Sequence, residues 1–225
     1  MPSPDYSVER FGHEQEPVVI IDDFYSDFEA LREDATSLNY NKLGPFYPGI
    51  RAQANPAYLA ERMGLLTEVL KAVFSVQKGA KLTECAYSLV TTPREALTPI
   101  QRLPHYDGTD TGRLAVLHYL SGPEAGGTSF YRHNATGFET VTEDRFDVYK
   151  AELTKETKRS GLPPQNYVEE GGPHFTLTGR IQAKPNRLII YRGVALHSGY
   201  IPPAFNLSHD PAAGRLTINT FLESS

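Results

Sequence analysis

HYDGTDTGRLAVLHYLSGPEAGGTSFY, residues 105–131, holds two short strand-like runs, Leu114–Leu120 and Thr128–Tyr131, and a His-x-Asp triplet ahead of them. Turn residues punctuate it at Gly122-Pro123 and Gly126-Gly127. Similar runs recur on both sides: Glu84–Thr91 before it, then His174–Ile181, Arg187–Tyr191, Leu196–Ile201 and Arg215–Leu222. Gly171-Gly172-Pro173, Pro185-Asn186, Pro202-Pro203 and Gly214 separate most of them. Many short strands so divided predict an antiparallel sandwich or jelly roll.

The chain before Gly79 has a different character. Pro17–Tyr25 opens with a β-branched run that reads as a strand. Ser26, with Glu29 three residues on, has capping-box spacing, and the helix it starts would run to about Leu38. A Gly/Pro-rich loop follows from Leu43 to Ile50. Asn55-Pro56 starts a second helix, with Tyr58, Leu59, Met63, Leu66, Val69, Leu70 and Val73 at helical spacing up to about Phe74. The charged segment 138–172 interrupts the strand pattern. Within it, Glu143–Arg159 is expected to be helical, with Phe146, Tyr149 and Leu153 on one side. The predicted fold class is α+β, mainly β. A double-stranded β-helix core over 81–225 carries N-terminal helices from 1–80 on one sheet and a partly helical insertion at about 138–172, all within one domain.

Composition narrows the function. The 225 residues are 40% hydrophobic and 22% charged, with net charge −5, which is globular and gives no electrostatic footprint for nucleic acid. The single Cys85 excludes an internal disulfide and any metal site built mainly from thiolates; it reads as inert packing. No apolar run approaches the roughly 20 residues of a membrane span. The polar, acidic N-terminus, MPSPDYSVERFGHEQE, shows no secretory signal, so a soluble cytoplasmic protein is expected.

His105 and Asp107 lie two apart, so on an extended chain both project to the same side and can reach one metal. His197 follows 90 residues after Asp107, and Arg215 another 18 on, at the start of the last strand. Two imidazoles and one carboxylate occupy one face of an octahedral ferrous ion and leave three positions open. A buried Arg beyond them can clamp a remote carboxylate in bidentate fashion. His-x-acidic triplets occur by chance about once in a chain of this composition. The weight therefore falls on the joint context of strand, turn and distal His and Arg.

This arrangement resembles the iron- and 2-oxoglutarate-dependent dioxygenases, in particular their prolyl-4-hydroxylase-like branch. The resemblance is carried by residues 105–131, by KPNRLIIYRGVALHSGY at 184–200 and by RLTINTF at 215–221, with weaker support from VVIIDDFYSDFEALRE at 18–33. YPGIR at 47–51 and FYRHNATGFE at 130–139 are similar to phrases of a bacterial subgroup of that superfamily. The resemblance implies His105, Asp107 and His197 as ligands of Fe(II). It implies Arg215 as partner of the distal carboxylate of 2-oxoglutarate, the co-substrate used with dioxygen. Thr217 faces the same side of the strand as Arg215 and is a candidate hydrogen-bond donor; Tyr119 matches a position that often brings a phenol near the co-substrate; Tyr87 is a further candidate. The alternative role for both tyrosines is core packing with a satisfied hydroxyl. Two features depart from the pattern: a longer His-to-Arg interval and the 138–172 insertion.

Arg51 and Arg132 lie in aromatic, Gly-bearing phrases expected near the barrel mouth, where they either recognise a substrate carboxylate or carbonyl or form surface ion pairs. His13, His133, His174 and His209 are expected in solvated or capping roles. Of His118 and Tyr119, one must point out of the barrel. The insertion serves as a lid over the iron or as a homodimer contact. The resemblance implies a hydroxylase of an amino-acid, peptide or related small-molecule substrate, and the intact Asp107 favours hydroxylation, demethylation or desaturation over halogenation. The alternatives are a cupin-like metalloenzyme that does not use 2-oxoglutarate and a catalytically silent jelly-roll binding module.

Overall fold

Every strand-like run expected between residues 84 and 222 forms a strand, and two further strands appear where none was expected. In the computed structural model, which describes residues 5–224, Met1–Pro4 of the N-terminal stretch lie outside the described residues. The order is β1 (Ser7–Phe11), β2 (Glu16–Ile21), α1 (Phe28–Ser37), β3 (Gly49–Gln53), a 3₁₀ turn (Pro56–Arg62) leading into α2 (Met63–Ala72), β4 (Ala80–Val90), β5 (Arg113–Tyr119), β6 (Gly127–His133), α3 (Glu143–Ser160), β7 (Phe175–Gln182), β8 (Arg187–Arg192), β9 (His197–Tyr200) and β10 (Arg215–Ser224). The strands build a seven-stranded sheet, β1-β2-β8-β5-β10-β4-β3, facing a three-stranded sheet, β7-β6-β9. All neighbours pair antiparallel. This is the expected mainly-β, double-stranded β-helix core. Among the described residues, no helix is long and apolar enough to cross a membrane.

Period-two alternation sorts the large sheet onto two faces. Leu114, Val116, Leu188, Ile190, Leu216 and Ile218 turn outward and pack with Leu31, Leu66 and Val69 of α1 and α2. Ala115, Leu117, Tyr119, Ile189, Tyr191 and Phe221 turn inward against Phe130 and Ile181 of the small sheet. Each fully buried aliphatic side chain on these faces contributes about 1.5–3 kcal/mol.

The local differences have physical reasons. Ser26 does not cap α1. Its hydroxyl donates to Glu61 of the 3₁₀ turn (2.8 Å), and Asp27 precedes the helix without a side-chain cap. β3 pairs with β4 inside what reads as the end of a loop; only Ile50 and Ala52 alternate there, too short a signal beside Gly44, Pro45, Pro48 and Gly49. β1 is an exposed edge strand whose Phe11 closes the interior by stacking on Phe130 (5.6 Å). Phe11 lies over Gly179, where any Cβ would collide with its ring.

His118 is the member of the His118–Tyr119 pair that points out of the barrel. It is fully buried between Tyr58 (stacked, 5.7 Å) and Phe24 (edge-on, 5.5 Å). Its Nε2–H donates to Asn186 Oδ1 (3.0 Å), and Nδ1 has no partner. Asn186 also accepts from Phe24 N and Tyr25 N and donates to Tyr25 O, so this cluster fastens the N-terminal segment to the sheet. Burial lowers the His118 pKa to about 4, against a smaller upward pull from Asn186. The unfolded chain therefore takes up this proton first as pH falls. The stability held above pH 6.5 is lost between 6.5 and about 4, about 3 kcal/mol in all. Urea unfolding at pH 7.5 and pH 4.5 should show the wild type losing about that much more than His118→Gln; equal losses would contradict the assignment.

Candidate metal centre

A two-way backbone bond places the first ligand candidate beside the third. His105 N donates to His197 O, and His197 N to His105 O, both at 2.8 Å. This adds His105 as a single rung to β9 at the edge of the small sheet. Asp107 N donates to Gly193 O (2.7 Å), which holds the chain extended, so His105 and Asp107 point the same way. The rings of His105 and His197 lie 4.4 Å apart. Asp107 Oδ2 is 3.4 Å from His197 Nε2, and Oδ1 is 3.9 Å from His105 Nε2. One donor atom from each residue falls within 4.8 Å of the others, a group able to hold a metal ion.

The protonation states suit ligation. His197 Nδ1–H donates to Ala195 O (2.8 Å), which leaves the Nε2 lone pair facing Asp107 and His105. Tyr191 packs edge-on against the His197 ring (4.8 Å, 66°) and fixes its plane. His105 lines the cavity and half its side chain is accessible. The surrounding fold, and then the neighbouring His197, lower its pKa. Two imidazoles and a carboxylate on one side are the donor set that ferrous iron takes while keeping three positions open.

These residues open into a cavity of about 800 Å³. Arg215 lines it, buried, donating through Nε to Ala125 O (3.1 Å) and through Nη2 to Gly127 O (2.8 Å). The Gly126-Gly127 turn makes this cradle: Gly126 sits at φ +92°, and a Cβ on either glycine would strike a backbone oxygen. Arg51, Ser88, Thr217 and Tyr119 form one row across β3, β4, β10 and β5. Tyr119 shares a short bond (2.6 Å) with Thr128, which lines the cavity; burial raises its pKa to about 12, with Arg215 pulling the other way. Thr217 donates to Asn219 Oδ1 (2.7 Å).

Two candidate positions are corrected. Tyr87 sits on the outward face of β4, in the core with Tyr58 and Cys85, and does not reach the cavity. Arg132 lies near the far end of β6, with His13 (3.2 Å) and Glu139 (3.5 Å), away from the cavity mouth. Arg51 does line the cavity. So do Asn219, Tyr191 and Arg113, none of which the sequence reading singled out. Asn219 was within reach of it, because positions 215, 217 and 219 share one strand face.

The insertion supplies a cavity wall: Phe146, Tyr149, Lys150 and Leu153 of α3 line it, as does Tyr167. His133 and His174, expected in solvated or capping roles, are buried against α3. His133 Nε2 meets Glu156 at 2.8 Å, with Thr136 on its other nitrogen (2.9 Å), while His174 Nδ1 lies 3.9 Å from Glu156. Burial lowers the His133 pKa, and Glu156 opposes that shift.

A metal that binds this site in the folded state alone will stabilise the fold by mass action, about 2.7 kcal/mol at a hundred times its Kd. Mn(II) or Zn(II) should raise the melting temperature of the wild type and leave that of His197→Ala unchanged. An equal shift in the variant would place the metal elsewhere.

Among proteins of curated function, none matches the sequence. The solved structures show where the fold occurs. The non-haem α-ketoglutarate-dependent epimerase SnoN of nogalamycin biosynthesis superposes with TM-score 0.51 at 10% identity, over 94% of this chain and 80% of that one. Apo HygX from Streptomyces hygroscopicus superposes with TM-score 0.50 at 13% identity, over 94% and 84%. A Pseudomonas putida prolyl-4-hydroxylase gives 0.49 at 14% identity, over 94% and 95%. For SnoN and HygX, at such identities, the likeness is one of fold. A family model matches residues 2–222, and the chain belongs to that family, DUF6445, a family of unknown function.

Proposed function

We propose that the protein is a non-haem Fe(II)- and 2-oxoglutarate-dependent oxygenase that hydroxylates an amino-acid-like, peptide or related small-molecule substrate. The observation that carries this reading is the shared cavity: the His105, Asp107 and His197 donors open into the space that the buried Arg215 guanidinium also lines. The metal and co-substrate together supply the activation of dioxygen, with 2-oxoglutarate leaving as succinate and carbon dioxide. The rest is the work of this chain's residues. His105, Asp107 and His197 hold the iron from one side. Arg215, its Nε and Nη2 fixed on carbonyls, presents a pre-oriented guanidinium to the distal carboxylate. Thr128 lines the cavity with its hydroxyl; Tyr119 bonds that hydroxyl from behind and Thr217 bonds Asn219, which also lines the cavity, so both support lining residues without reaching the cavity themselves. Phe146 and Tyr149 of α3 keep bulk water from the reacting face. The buried Arg215 in the same cavity, and a donor set of only two imidazoles and an aspartate, favour this reading over a cupin-like enzyme without 2-oxoglutarate. The cavity volume and the acidic net charge favour a small molecule or a peptide side chain over nucleic acid.

Removing one partner of a buried, hydrogen-bonded charge pair costs about 2–5 kcal/mol, or roughly 30- to 5,000-fold in affinity. Arg215→Ala should therefore raise the 2-oxoglutarate concentration for half-maximal succinate formation by that factor and keep metal affinity, while Asp107→Ala should stop succinate formation. An unchanged 2-oxoglutarate dependence in Arg215→Ala would remove the reading.

A further inference from the structure

The cavity carries positive charge that the metal and co-substrate leave unspent. Among its lining residues Asp107 is the only carboxylate, against Arg51, Arg113, Lys150 and Arg215. Asp107 belongs to the metal candidates, Arg215 is assigned to the co-substrate, and Arg113 is paired with Glu223 (2.9 Å). Lys150 Nζ lies over the Phe146 ring (5.6 Å). Arg51 stacks over the Tyr47 ring (4.4 Å) and gives Nη1 to Glu84 (2.7 Å), a residue more than a third exposed. Its Nε is buried without a partner, and the Tyr47 hydroxyl beneath it lies toward Ser88 and Arg215. An unpaired buried polar group costs about 1–3 kcal/mol, so this corner gains from a ligand that reaches it. The loop that carries Tyr47 also carries Leu43 and Phe46, 57% and 72% exposed, and Ile100, whose neighbour Gln101 donates to Pro45 O of that loop (3.1 Å), is 46% exposed. Large apolar side chains gathered at a cavity mouth mark a surface that a ligand covers.

We propose that the substrate is an amphipathic carboxylate. Its carboxylate pairs with Arg51 beside Tyr47, and its apolar body lies against Leu43, Phe46 and Ile100. This inference rests on the oxygenase reading and names the substrate class for it. An N-acylated amino acid and the free C-terminus of a peptide share this chemistry.

The test is calorimetric titration under nitrogen, with protein carrying Fe(II) and 2-oxoglutarate and, in parallel, with protein alone. The probes are N-phenylacetyl-leucine and acetyl-Leu-Phe-Leu, each as free acid and as amide. The free acid should bind at least tenfold tighter than its amide, and the tighter of the two acids names the source. Arg51→Gln should abolish the preference for the acid without changing 2-oxoglutarate affinity. Glu84→Gln, which frees the guanidinium, should tighten the acid severalfold, a gain no loss of fold can mimic. Equal binding of acid and amide by the wild type would overturn the inference. So would a loss of 2-oxoglutarate affinity in Arg51→Gln, which would move Arg51 into the co-substrate site. If Fe(II) and 2-oxoglutarate fail to bind while the acid preference survives in the protein alone, the oxygenase reading falls and this recognition site stands.

Discussion

The reciprocal backbone pair between His105 and His197 is the constraint on which the site depends. Two hydrogen bonds of 2.8 Å register a loop residue against a strand residue 92 positions away, and the side chains have no freedom left to separate. Asp107 follows because its own amide is held by Gly193 O two residues further along the loop. Gly193 in turn donates to Arg113 O (2.8 Å), which connects the metal loop to the start of β5. The donor set is thus built by main-chain geometry, and the side chains are placed by alternation alone. A site made this way is organised before any ion arrives.

The opposite end of the cavity follows the same logic with glycine. Arg215 opens β10, and its guanidinium is aimed by the carbonyls of Ala125 and Gly127, on either side of Gly126. That turn needs the left-handed conformation at Gly126 and close backbone approach at both positions. The seven-stranded sheet contributes the row from Arg51 to Tyr119 between these ends, and α3 closes the side. The buried His133–Glu156 contact anchors α3 from below, so the wall is tied to β6 by more than apolar packing.

What the sequence made legible was local. Strand runs bounded by Gly and Pro, the His-x-Asp spacing and the Arg at the head of the last strand are all short-range patterns, and the structure brings His105, Asp107, His197 and Arg215 to one cavity. What depended on which face is inward was not legible. Residues 85–90 of β4 are buried on both sides, so no polar alternation marks Tyr87 as outward and Ser88 as inward. Arg132 shares strand parity with Thr128 and Phe130, but its position along β6 puts it past the ring of Phe11, a residue of a strand that the sequence did not signal. His133 and His174 looked solvated because the helix that buries them is charged along most of its length and its packing is set by tertiary contact.

The most direct test of the account is an anaerobic titration of purified protein with Fe(II) and then 2-oxoglutarate, followed by visible absorption. A ferrous site at His105, Asp107 and His197 gives a weak charge-transfer band that saturates at one equivalent of each and is missing from His197→Ala. A well-folded wild-type protein that binds Fe(II) but develops no band with 2-oxoglutarate would contradict it.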